Sequence, residues 1–189
     1  MKLNSLNLEG PLTVGWDITN ECNLRCKHCY TKASKSLDNE LSFDEIKRIV
    51  DELEKSGTCL IAIAGGEPLM RKDIFKIVKY IRDKHIEIFL NTNGTLLTKK
   101  VCNKLKNAGL NHIEVSIDGM EEAHDYIRGK GSFKKAINGF RNARDAGLSP
   151  GIMSLIISKS LDQVDPLIDF FFKEKSVGVG FLRFKPVGR

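Results

Sequence analysis

The stretch Cys59-Leu60-Ile61-Ala62-Ile63-Ala64-Gly65-Gly66-Glu67-Pro68 decides how the rest of the chain is read. Six nearly all-apolar residues run directly into two glycines. A strand without polar alternation is buried on both faces, as happens in a parallel sheet covered by helices. Helical patterns lie on either side of it. Upstream, Ser42 with Glu45 three residues later reads as a capping box. Ile46, Ile49, Val50 and Leu53 then form one apolar face, and Gly57 is a suitable stop. Downstream, Ile74, Ile77, Val78 and Ile81 repeat the helical spacing.

The same alternation extends to both ends. Further strands are expected at residues 12–19, 86–90, 112–117, 151–157 and 179–184. Thr98 caps a helix carrying Val101, Leu105 and Ala108. Phe133, Ala136, Ile137 and Phe140 mark the next helix. Asp165 followed by Pro166 reads as a cap and first-turn proline, opening a helix with Leu167, Ile168 and Phe171. Six strands alternate with five helices. Right-handed crossovers then give an α/β fold with a parallel sheet and outer helices. A complete eightfold barrel takes about 250 residues, and this chain has 189. The expectation is a partial (β/α)6 barrel over residues 1–189, one domain without an internal boundary. The chain stops just after the sixth strand, with no helix to cover it, so it reads as a piece of a longer protein.

Composition excludes several classes. Hydrophobic residues are 41% and charged residues 29%, the balance of a globular domain rather than a disordered or fibrous one. No apolar run approaches the roughly 20 residues of a spanning helix. Residues 1–10 lack the pattern of a secretory signal, so the expected location is cytoplasmic and no membrane role is expected. The net charge of +6 is spread along the chain, and Lys99, Lys100, Lys134 and Lys135 read as solvated helix faces. Basic residues do not cluster with aromatics, so nucleic acid is not an expected partner. A mildly basic surface suits an acidic redox protein or peptide.

In parallel βα folds, ligands bind on the loops after the strands. After the first strand comes Cys22-Asn23-Leu24-Arg25-Cys26-Lys27-His28-Cys29-Tyr30. An odd total of five cysteines, three of them within eight residues, points to a metal site rather than a disulfide framework. A structural zinc wants four ligands, and a simple iron–sulfur carrier wants four thiolates. Three thiolates leave one iron of a cluster open to a substrate. The alternatives are a zinc site with His28 as fourth ligand, or unrelated core cysteines. After the second strand, Gly65 and Gly66 allow a ligand near the backbone, Glu67 brings a carboxylate and Pro68 fixes the exit. Cys59 and Cys102 read as core fillers, His85 and His112 as structural, His124 as a loop histidine, and Trp16 as core packing.

Cys22, Cys26 and Cys29 with His28 before the last cysteine, together with Gly65, Gly66, Glu67 and Pro68 one βα unit later, resemble the radical S-adenosylmethionine (SAM) superfamily. The resemblance implies that the three cysteines hold a [4Fe–4S] cluster whose open iron is chelated by the amino and carboxylate groups of SAM. It implies that Gly65 to Pro68 meet the methionine amino group, chiefly through backbone acceptors. His28 and Tyr30 then lie near the adenine or the cluster. Asn91 or Asn93, and Ser116 with Asp118, are placed to reach ribose and methionine. Arg128, in His124-Asp125-Tyr126-Ile127-Arg128-Gly129, pairs with the methionine carboxylate, a contact suited to a guanidinium. As plain alternatives, Asn93-Gly94 is a turn, Ser116 and Asp118 close a strand, and Arg128 is a surface arginine.

The implied chemistry is one-electron cleavage of SAM to methionine and a 5′-deoxyadenosyl radical, which abstracts hydrogen from an unreactive C–H bond. Ser116-Ile117-Asp118-Gly119, Arg128-Gly129 and the terminal Phe184-Lys185-Pro186-Val187-Gly188-Arg189 resemble the subgroup that continues into a cysteine-rich SPASM or twitch extension. That subgroup modifies peptides and proteins or alters haem precursors. Peptide or protein modification ranks first and a tetrapyrrole of haem synthesis second. A non-catalytic zinc- or iron–sulfur-binding module is the reading from a different class. A flavodoxin or ferredoxin is the expected electron donor.

Overall fold

The computed structural model of the chain describes residues 10–184, 187 and 188. Residues 1–9, Lys185, Pro186 and Arg189, which belong to the terminal stretches read above, lie outside those described. The strands are β1 (Thr13–Asp17), β2 (Leu60–Ala64), β3 (Glu87–Thr92), β4 (His112–Ser116), β5 (Ser149–Ile156) and β6 (Val179–Arg183). They form one six-stranded sheet in the order β1-β2-β3-β4-β5-β6, and every pair is parallel. The sheet curls into a half-barrel whose two edges are β1 and β6.

The helices are α1 (Phe43–Lys55), α2 (Ile74–Asp83), α3 (Lys99–Asn107), α4 (Glu121–Arg128), α5 (Ser132–Asp145) and α6 (Val164–Lys173). Strand alternation decides which side they cover. Ile61 and Ile63 of β2, Ile88 and Leu90 of β3, and Ile113 and Val115 of β4 are buried against Ile46, Val50, Ile77, Ile81 and Leu105. The opposite side chains of the same strands are only partly covered. The concave face is therefore left for a ligand, and the convex face is the core.

Local signals match the helix starts in two cases. The Ser42 capping box forms in both directions, and the Thr98 hydroxyl accepts the Val101 N–H. Three expectations are corrected. The cap of α6 is Gln163, with Asp165 and Pro166 inside the first turn. Ile49 is 38% exposed, at the rim of its helix face. Glu121–Arg128 is a sixth helix, so His124 sits on a helix and is fully buried rather than on a loop.

Cys102 is buried as expected, whereas Cys59 is exposed and its thiol donates to the Leu12 carbonyl at 3.1 Å. Trp16 packs partly buried against the core. His85 has a positive φ at the turn between α2 and β3, and His112 packs on the Phe89 ring. Among the described residues no helix is long and apolar enough to cross a membrane.

Candidate active site

The loops after β1 to β4 meet over the carboxyl end of the sheet. Residues 20–34, between β1 and α1, close on themselves. The Cys22 N–H donates to the Ser34 carbonyl at 3.1 Å, and the Ser34 N–H donates to the Asn20 carbonyl at 2.9 Å. This ring is seated on the turn after β2, with Gly66 N–H to Thr19 O and Glu67 N–H to Glu21 O both at 2.7 Å. A Cβ on Gly65 would strike the Thr19 carbonyl, and one on Gly66 would strike the Glu21 carbonyl. The room made by the two glycines is thus taken by chain rather than by a ligand, although both residues also line the cavity described below.

Glu67 is fully buried and turned away from that cavity. Its carboxylate accepts from Thr92 Oγ1 (2.7 Å), Asn93 N–H (2.8 Å) and Leu69 N–H (3.1 Å). Burial pushes its carboxyl up, against the pull of those three bonds. Glu67 therefore ties the second loop to the third, and Pro68 is buried beneath it in a 3-10 turn. Asn93 also crosses between loops. Its Nδ2 donates to Asn23 Oδ1 at 2.9 Å, and its Oδ1 accepts the Thr95 N–H, which makes 93–94 a turn as well as a wall. Asn91 donates to the Ile63 carbonyl at 3.3 Å.

On the far side Asp118, 0% exposed, takes a two-pronged contact from Arg128: Nε to Oδ2 at 2.5 Å and a terminal nitrogen to Oδ1 at 3.2 Å. Its Oδ1 also accepts the Leu155 N–H, and its own N–H donates to His124 Nδ1. Burial pushes the Asp118 carboxyl up, but Arg128 outweighs it and holds the group below the usual carboxylate range. Asp118 is hence inside an ion pair and not on the cavity wall. The Arg128 side chain is only 11% exposed, so it is not a surface arginine; it lines the cavity. The same guanidinium reaches His28 Nε2 at 3.5 Å, and the Lys27 N–H donates to Ile127 O at 2.9 Å. Together these contacts clamp the cysteine ring to α4.

These pieces surround a cavity of about 630 Å³. All three cysteines of the ring, His28, Tyr30, Gly65, Gly66, Asn91, Asn93, Ser116 and Arg128 line it. Glu67, Pro68 and Asp118 do not face it; they support residues that do. Backbone amides meet two of the sulfurs, Leu24 N–H to Cys22 Sγ at 3.4 Å and Ala33 N–H to Cys29 Sγ at 3.3 Å. Burial pushes the Cys22 and Cys26 thiols up, and Arg128 pulls Cys26 back down. Tyr30 donates to both carboxylate oxygens of Asp17, which with burial pushes its hydroxyl up to about 12. His28 presents its Nε2 to Arg128 and Asp118.

Sequence reasoning missed Met153, Leu155, Leu182 and Arg183, which form the apolar and basic wall from β5 and β6. Strand alternation past Ser116 was the available signal.

A sequence model of the radical SAM superfamily matches residues 16–171. An Fe-coproporphyrin III synthase of Methanosarcina barkeri is 36% identical over 178 residues, covering 93% of this chain and 45% of that protein. A mycofactocin maturase, MftC, of Mycolicibacterium smegmatis is 34% identical over 185 residues, covering 96% and 47%. The chain spans about half the length of these curated relatives. Streptococcus suis SuiB bound to S-adenosylmethionine superposes with a TM-score of 0.82 at 20% identity, covering 94% of this chain and 41% of that one. At that identity the likeness concerns the fold alone.

Proposed function

The chain belongs to the radical SAM superfamily, and from that premise we propose that it is the cluster- and SAM-binding half of an enzyme that modifies a peptide or protein. The family uses a [4Fe–4S] cluster and SAM, and the residues present fit both. Cys22, Cys26 and Cys29 open on one cavity large enough for a cofactor of that size. The buried His28 Nδ1 has no hydrogen-bond partner among the described residues, as expected of a polar atom that awaits a bound group.

Cys22, Cys26 and Cys29 would hold three irons. When bound, the cluster and SAM supply a one-electron cleavage that yields methionine and a 5′-deoxyadenosyl radical. The chain's own part is orientation and exclusion of water. Backbone groups at Gly65 and Gly66 would receive the methionine amino group, Asn91, Asn93 and Ser116 the ribose side, and His28 and Tyr30 the adenine. Glu67 holds the second and third loops in register. Arg128 carries a second task beside its pairing with Asp118: it brings positive charge to the cavity wall for the methionine carboxylate. Asp118 acts through Arg128.

The observation that carries the reading is the convergence of all three thiols with Gly65, Gly66, Asn91, Ser116 and Arg128 on one cavity. The test is anaerobic reconstitution of the whole protein, reduction, and addition of SAM. 5′-Deoxyadenosine is the expected product; its absence from protein loaded with iron and sulfide overturns the reading. A tetrapyrrole substrate is the second reading, favoured by the 36% identity to the Fe-coproporphyrin III synthase. A short precursor peptide encoded beside the gene supports the first, and haem-pathway neighbours the second.

For the electron donor, a flavodoxin or ferredoxin is supported by charge. Arg25, Lys27, Lys32 and Lys35 are exposed on the loop that carries the cysteines, and Lys27 lies over the Tyr126 ring. An acidic donor docked there approaches the cluster from its ligand side. Reversing these four charges to Glu should slow reduction by an acidic flavodoxin at low salt at least about tenfold, with reduction by dithionite unchanged. Equal rates with flavodoxin would remove this surface from the account.

A further inference from the structure

The half-barrel has its two edges at β1 and β6, and the described residues that follow β6 lie beside the cysteine ring. Leu182, Arg183, Phe184 and Val187 line the same cavity as the three cysteines. Gly188 then lies directly on the cysteine ring. A Cβ built there would strike the Cys29 carbonyl and come within 2.6 Å of both Tyr30 Cα and Tyr30 O. Those are backbone atoms that cannot swing aside. The φ of Gly188 is +89°, a region that a side chain also disfavours. Tyr30 in turn is fixed to the last residue of β1 through Asp17. Tail, cysteine ring and β1 thus meet at one junction, and only a glycine permits the tail to come this close.

We propose that Gly188 is a positioning residue for Cys29: it lets residues 187–188 press on the Cys29–Tyr30 backbone, holding the third thiol at the cavity and shielding it. The inference rests on the reading that Cys29 holds a cluster iron. It does not concern the thiols' identity as ligands but what keeps one of them in place and shielded. Val187, the residue before Gly188, lines the same cavity.

The test compares Gly188→Ala with Gly178→Ala in the whole protein. Gly178 precedes β6, and a Cβ there meets nothing within 4 Å, so Gly178→Ala is a control for substitution near the same strand. Both variants are reconstituted without oxygen. Three quantities are read: iron and sulfide per chain, the rate at which the visible absorbance bleaches in air, and the change that SAM causes in the electron paramagnetic resonance (EPR) spectrum of the reduced cluster. Gly188→Ala is expected to bleach several-fold faster than wild type and to show a weakened response to SAM, while its metal-free circular dichroism and melting temperature stay at wild-type values. Gly178→Ala should match wild type throughout.

Val187→Ser loosens the same contact without a backbone clash and should shift bleaching in the same direction. Wild-type bleaching and a full SAM response in both Gly188→Ala and Val187→Ser would overturn the proposal. A wild-type protein that binds no cluster, or whose spectrum ignores SAM, would instead sink the functional reading on which the proposal stands.

Discussion

Replacing any one of Cys22, Cys26 and Cys29 by serine is expected to leave the reconstituted whole protein without a stable [4Fe–4S] cluster. 5′-Deoxyadenosine formation should fall by about a thousandfold or more, roughly 4 kcal/mol or more in barrier terms. A serine hydroxyl is a harder and far less acidic donor than a thiol, and iron–sulfur clusters select thiolate. None of the three has a substitute close by. Cys59 lies just before β2, six residues before Gly65 and about 20 Å away at roughly 3.3 Å per residue. Cys102 is buried on α3, under the convex face. Cys59→Ala and Cys102→Ala should therefore keep wild-type iron and sulfide content. Loss of the cluster in either would mean a fourth thiolate is in use, and an electron carrier with no open iron would replace the radical enzyme.

Arg128→Met should destabilise the fold by about 3–5 kcal/mol near pH 7, read by urea unfolding of the metal-free protein. The methionine fills much of the same space, so the cost comes from charge. Asp118, 0% exposed, would be left with the Leu155 N–H at 2.9 Å and His28 Nε2 at 3.8 Å, which do not replace a guanidinium. The pH dependence follows from the depressed carboxyl of Asp118 in the folded protein. Such a group contributes in full above its unfolded pKa, about 4, and loses the contribution as pH falls through the folded value. The gap between wild type and Arg128→Met should then be widest at neutral pH and narrow in acid. A gap that is absent at pH 7, or that widens in acid, would show that the pair does not hold this end of the sheet together. Cluster loading should suffer as well, because Arg128 contacts His28 and the neighbouring Ile127 carbonyl anchors Lys27.

The parts of this architecture that were legible from sequence are those with dense local signals. The apolar run ending at Gly65 announced a strand of a parallel sheet, but not one covered on both faces: Ile61 and Ile63 are buried while Leu60, Ala62 and Ala64 are only partly covered. The capping box at Ser42 and the cap at Thr98 marked helix starts that formed. The cysteine spacing and the Gly-Gly-Glu-Pro turn marked two of the loops that meet at the cavity. What could not be read was set by contacts between distant residues. The eight-residue α4 buries only His124 and Ile127, too few apolar positions to give a stripe, so it passed as a loop. Glu67 looks like a ligand in sequence, yet its carboxylate is spent on Thr92 and Asn93, about a full βα unit later. The glycines before it suggested ligand access, whereas the Thr19 and Glu21 carbonyls occupy the space. Asp118 and Arg128, ten residues apart, pair only because α4 turns back over the end of β4. The β5 and β6 wall of the cavity carried no motif at all.

The central claim is that three thiolates leave one iron free to bind SAM. Electron–nuclear double resonance of the reduced protein with SAM labelled with ¹⁵N at its amino group tests it most directly. Hyperfine coupling between the cluster and that nitrogen is expected, lost when SAM is omitted. A reduced cluster that shows no coupling at saturating SAM, or a protein that takes up zinc and no iron under anaerobic reconstitution, would contradict it.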